Sequence, residues 1–75
     1  MVKSVYYVTK DSEGEIRYLG TIDGVTSKNT YYESHNLALE FNNLETAQAV
    51  AEWASNKEPD AAIGIAKMTC TISFL

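Results

Sequence analysis

A chain of 75 residues carrying six Lys and Arg against ten Asp and Glu, net charge −4, reads as a single domain over residues 1–75. At that size folding buries only ~60% of the unfolded surface, so oligomerisation would add stability. One cysteine and one histidine cannot build a disulfide or a metal centre within the chain, and the scattered Lys3, Lys10, Arg17, Lys28, Lys57 and Lys67 give a nucleic-acid backbone little to hold.

The first fifteen residues, MVKSVYYVTKDSEGE, lack the apolar core and cleavage site of a signal peptide, and no apolar run approaches the ~20 residues that a bilayer needs. A cytoplasmic, reducing environment without membrane contact is therefore expected. KSVYYVT, residues 3–9, is β-branched and aromatic, and KDSEGE supplies a hairpin loop around Gly14. EIRYLGTI resumes the strand pattern, with Ile16, Tyr18, Gly20 and Ile22 on one face and Leu19 on the other. A connection follows that contains the Asp23-Gly24 turn signal and a candidate short strand at Thr30 to Glu33.

After the extended ALEF the period changes. Leu44, Ala47, Val50, Ala51 and Ala54 recur at helical spacing and predict one helix over about residues 43–56. Asn42 is expected as its N-cap, with Glu45 completing an Asn variant of the capping box and Phe41 stapling back onto the first turn; Pro59 stops the helix. In the final segment Met68, Cys70, Ile72 and Phe74 alternate with Lys67, Thr69, Thr71 and Ser73, a long strand whose apolar set, Cys70 included, is expected inward. Gly64 marks either a bulge or a close approach of helix to sheet. The expected class is α+β: three or four mostly antiparallel strands in the order β-β-(β)-α-β, with the helix on one face. The second face is then either polar or covered by another molecule.

Catalytic groups are sparse. Glu33, Ser34 and His35 name the types of a triad, but neighbours on a loop do not hold its geometry. The pairs Glu13 with Glu15 and Glu58 with Asp60 sit in polar turn or helix-ending contexts where nothing would desolvate a carboxylate, and the four glycines are too dispersed for a phosphate loop. No catalytic residue, cofactor or metal is expected. Five tyrosines on a small sheet suggest a stacking platform for single-stranded nucleic acid, which the acidic balance makes an unlikely partner.

An apolar surplus remains. Of the consecutive Tyr6 and Tyr7 one must point away from the helix, and Leu19, Ile63 and Ile65 fall opposite the presumed inward set unless a bulge at Gly64 returns the isoleucines to the core. Trp53 projects at the margin of the helix stripe. Tyr6, Leu19, Ile63, Ile65 and Trp53 are therefore the candidate interface residues.

YYV, YLG and ALEFNNLETAQAVAEWA followed by a last strand resemble small uncharacterised proteins encoded by phages and prophages of Gram-positive bacteria. In these an Ala-x-x-Phe element, here Ala38 and Phe41, leads into the helix. The resemblance implies a short, non-enzymatic accessory protein that binds a host or phage protein. Taken together, the expectation is a protein–protein interaction module, most plainly a homodimer; the alternative is a nucleic-acid-associated or nucleic-acid-mimicking inhibitor of a host protein.

Overall fold

The computed structural model describes residues 1–21 and 29–73. Ile22, the Asp23-Gly24 turn and Phe74 lie outside them. The elements are β1 (Val2–Ser12), β2 (Glu15–Thr21), β3 (Thr30–Tyr32), a 3₁₀ turn (His35–Leu37), α1 (Leu44–Lys57) and β4 (Ala62–Thr71). They form one four-stranded antiparallel sheet, ordered β3-β2-β1-β4, with α1 packed on it. This is the α+β class expected, and the candidate strand at Thr30 is present as β3.

β1 runs further into KDSEGE than its β-branched stretch suggests, because the turn needs only two residues. Ser12 pairs with Glu15, and Glu13 and Gly14 between them have φ of 54° and 86°. Positive φ at both central positions is the signature of a type I′ turn, whose twist matches that of the flanking strands. The Gly14 N–H donates to the Asp11 carboxylate at 3.0 Å.

The β1–β2 ladder closes at Thr9 with Tyr18, and the two strands then part. ALEF occupies the gap: Leu39 N–H donates to the Leu19 carbonyl at 2.9 Å, and Tyr6 and Phe41 exchange N–H···O=C bonds of 2.8 and 2.9 Å. From Phe41 the chain turns directly into α1. The N-cap is Asn43 rather than the expected Asn42: its side chain accepts from the Thr46 N–H at 2.7 Å. Thr46 thus holds the third helical position, the reciprocal box with Glu45 does not form, and Glu45 instead stands in the first turn, where a negative charge favours the helix dipole. Asn43→Ala is expected to cost about 1 kcal/mol in a urea titration, while Asn42→Ala changes little. Equal losses at both positions would contradict this assignment.

Which face of the sheet lies under α1 follows from the register. Residues opposite each other in antiparallel strands share a face, so Tyr6, Val8 and Lys10 of β1 lie with Lys67, Ile65 and Ile63 of β4, with Arg17 and Leu19 of β2, and with Tyr31 of β3. Glu58, the C-cap of α1, bonds both Lys10 and Tyr31, which places the helix over this face. Val8 and Leu19 are fully enclosed here, and Ala47 and Ala54 are the buried side chains of α1. Leu44, expected in the same stripe, is 42% exposed.

The opposite face carries Val5, Tyr7 and Thr9, all buried, beside Met68, Ala66 and Gly64. Neither predicted alternative describes it fully, because the chain covers part of it with its own 3₁₀ turn: the His35 ring stands 5.7 Å from that of Tyr7 and 6.2 Å from that of Tyr18. The β1–β4 register continues unbroken through Thr9 opposite Gly64, so there is no bulge at Gly64. What approaches Gly64 is Thr9 of the neighbouring strand, not the helix. The register shift lies instead between Leu19 and Thr21, where the Tyr32 ring takes the space a Cβ on Gly20 would need. Among the described residues no helix is long and apolar enough to cross a membrane.

Candidate interaction surface

The structure does bring Tyr6, Leu19, Ile63 and Ile65 to one face, but it is the face beneath α1. Leu19 has no exposure at all and cannot contribute to an open surface, which corrects its selection as an interface residue. Tyr6, Ile63, Ile65 and Trp53 are half-buried. Trp53 is held on the helix by Lys57, whose ammonium lies 4.3 Å from its ring centroid, so its first role is to pack. The expected inward set fares in the reverse sense: Met68 is half-buried, while Cys70 and Ile72 are exposed. Cys70 is therefore not the small core hydrophobe that alternation implies.

Two polar clusters have structural work. In the first, the Glu58 carboxylate accepts from Lys10 Nζ at 2.7 Å and from the Tyr31 hydroxyl at 2.8 Å, and Lys10 also lies 5.1 Å from the Tyr31 ring centroid. Sequence places Glu58 at a polar helix end with nothing to desolvate it; the fold makes it the clasp between the end of α1 and the strands. Burial alone would raise its pKa, but the hydrogen bonds from Lys10 and Tyr31 outweigh that and hold it below the usual carboxylate range. Burial, reinforced by the bond to Glu58, pushes the Tyr31 phenol up to about 12.

These two shifts set opposite ends of the stability curve. Glu58 binds its proton less tightly folded than unfolded, so its contribution is present above the ordinary carboxylate pKa and is lost as pH falls through the folded value. Tyr31 binds its proton more tightly folded, so its contribution is intact below the unfolded pKa of ~10 and drains as pH rises toward about 12. Tyr31→Phe is expected to flatten the alkaline fall of the urea midpoint. An unchanged alkaline limb would remove Tyr31 as its source.

In the second cluster, Tyr7, Tyr18 and His35 meet edge to face, and the Tyr7 hydroxyl donates to Glu40 at 3.2 Å. Ser34 Oγ accepts from the Asn36 N–H at 3.2 Å and caps the 3₁₀ turn. Ser34 is thus employed in the backbone and His35 in ring packing.

The uncommitted surface is the outer edge of β4. Met1 and Ile72 exchange main-chain bonds, Ile72 N–H to Met1 at 2.6 Å and the Met1 amine to Ile72 at 3.1 Å. With an unbroken register, the even-numbered residues of β4 therefore bond β1, and the N–H and C=O groups of Ile63, Ile65, Lys67, Thr69 and Thr71 point to the open side. Among the described residues no strand pairs there. Toward its end β4 leaves the shelter of the fold: Lys3, Thr69, Cys70 and Thr71 are exposed, with Met1 at 76%, Val2 at 65% and Ile72 at 37%. Beyond the Tyr6–Phe41 bridge nothing described flanks β1 either, so the start of β1 and the end of β4 form a two-stranded ribbon among the described residues, an arrangement only marginally stable alone in water. Composition gave no sign of this edge, since strand order is a tertiary property; the Thr-rich alternation at 67–73 was the available signal, and it marks solvent exposure. No protein-family model, curated protein or solved structure matches this chain.

Proposed function

We propose that this chain is a small non-enzymatic accessory protein, of the phage type its sequence resembles, that works by binding protein along the outer edge of β4. The observation that supports this reading is the ten-residue edge strand with its outward main-chain groups unclaimed among the described residues. An extended segment added there gains main-chain hydrogen bonds for affinity and side-chain contacts on alternate residues for specificity. Natural edges of this length are commonly shortened, bulged or covered, and β4 carries only Lys67 as a deterrent.

Proline is tolerated on an edge strand where its missing N–H would face solvent. Thr69 is such a position, so Thr69→Pro should leave the β1–β4 ladder intact while blocking the edge. Immobilised wild-type protein is expected to retain a protein partner, whether a second copy of the chain or a protein from nuclease-treated lysate of a Gram-positive host, and the Thr69→Pro variant to lose it. Capture of protein from untreated lysate that disappears entirely after nuclease treatment would instead favour the nucleic-acid-associated alternative.

A further inference from the structure

We infer that the strand received by this edge is β4 of a second copy, paired antiparallel about a two-fold axis through Thr69; the inference rests on reading β4 as a binding edge. The axis must stand perpendicular to the sheet, which keeps both α1 helices on one face and pairs residues of like facing. Outward-bonding residues then meet only outward-bonding residues, so the hydrogen-bond phase of the free edge complements itself.

Side chains select the register. Lys67 is the one charged residue of β4, and an axis through it would set two ammonium groups opposite each other. Moving the axis to Thr69 places Lys67 opposite Thr71 and Thr69 opposite itself, a pair able to share a hydrogen bond. On the face away from α1 the same register sets Met68 against Cys70 and Ala66 against Ile72. The apolar side chains exposed at the ribbon thereby acquire apolar neighbours.

Charge supports a second copy as occupant. The chain carries net −4, yet residues 61–75 contain no Asp or Glu, so the self-repulsion of two acidic proteins is not concentrated at this seam. The product is an eight-stranded sheet in which the marginal two-stranded ribbon becomes part of a four-stranded one, with β4 interior. The long β4 edge of each copy is removed, leaving the short β3 and the first residues of β1 as edges.

The test is the mass of the full chain by light scattering over tens to hundreds of micromolar. Wild type is expected to give twice the monomer mass, and Thr69→Pro the monomer mass with an unchanged circular dichroism spectrum. Met68→Cys tests the register without a proline: mild oxidation should yield a covalent dimer joined through the introduced thiol and Cys70 of the second copy, under conditions where wild type, with Cys70 alone, does not cross-link. A wild type that stays monomeric throughout, or a folded Thr69→Pro that stays dimeric, overturns self-pairing. If wild type is monomeric while Thr69→Pro still abolishes capture of another protein, self-pairing falls and the binding edge stands; if capture also survives the proline, both fall.

Discussion

Leu19→Ala is expected to remove a quarter or more of the protein's folding stability. Leu19 has no exposed surface and sits where β2 parts from β1: its side chain lies on the sheet face that carries α1, its carbonyl receives Leu39 N–H, and its register partner is Tyr31. Truncating an enclosed leucine removes its transfer free energy and leaves a cavity, together about 2.7–5 kcal/mol. At about 0.05–0.15 kcal/mol per residue, a chain this size has only about 4–11 kcal/mol to lose. The loss is large because, among the described residues, Val8 and Leu19 are the largest side chains that are fully buried. Urea titration should show the midpoint falling by about a quarter or more. A shift smaller than that of the cap variant Asn43→Ala would mean that the site under α1 is not closed.

Sequence legibility divides along local and tertiary lines. The hairpin turn, the helix and the final strand were readable because each is specified locally, by Glu13-Gly14, by apolar spacing of three and four, and by alternation. Facing was not readable. The middle of β1 is buried on both sides, Val5, Tyr7 and Thr9 on one and Val8 on the other, so its two-residue period carries no inside or outside. The cleanest alternation, Met68 to Ile72, runs where β4 leaves the fold, and there it reports a solvated ribbon. The helix cap was misplaced by one because Asn42 and Asn43 are equally capable; the Tyr6–Phe41 bridge, a long-range contact, fixes where the chain enters the helix. Glu58 likewise gains its role from Lys10 and Tyr31, 48 and 27 residues away in sequence.

Tyr7 separates the worth of an aromatic body from that of its hydroxyl. The ring is 2% exposed and packs edge-on against Tyr18 at 5.9 Å and His35 at 5.7 Å. Tyr7→Ala is therefore expected to cost about 3–5 kcal/mol, the range for removing a buried aromatic ring. Tyr7→Phe deletes only the bond to Glu40, whose carboxylate is exposed and regains water, so about 0.5–1.5 kcal/mol is expected. Burial first and Glu40 second push the Tyr7 phenol up, so its contribution, like that of Tyr31, is intact below the unfolded pKa and drains as pH rises above it. Tyr7→Phe should accordingly narrow its deficit against wild type as the solution becomes alkaline, whereas Tyr7→Ala keeps a deficit at every pH. A double-mutant cycle with His35→Ala then isolates the ring pair, expected at about 0.5–1.5 kcal/mol. No coupling in that cycle, with Tyr7→Ala still costly, would show that β4 and Tyr18 alone close this face and that the 3₁₀ turn only rests upon it.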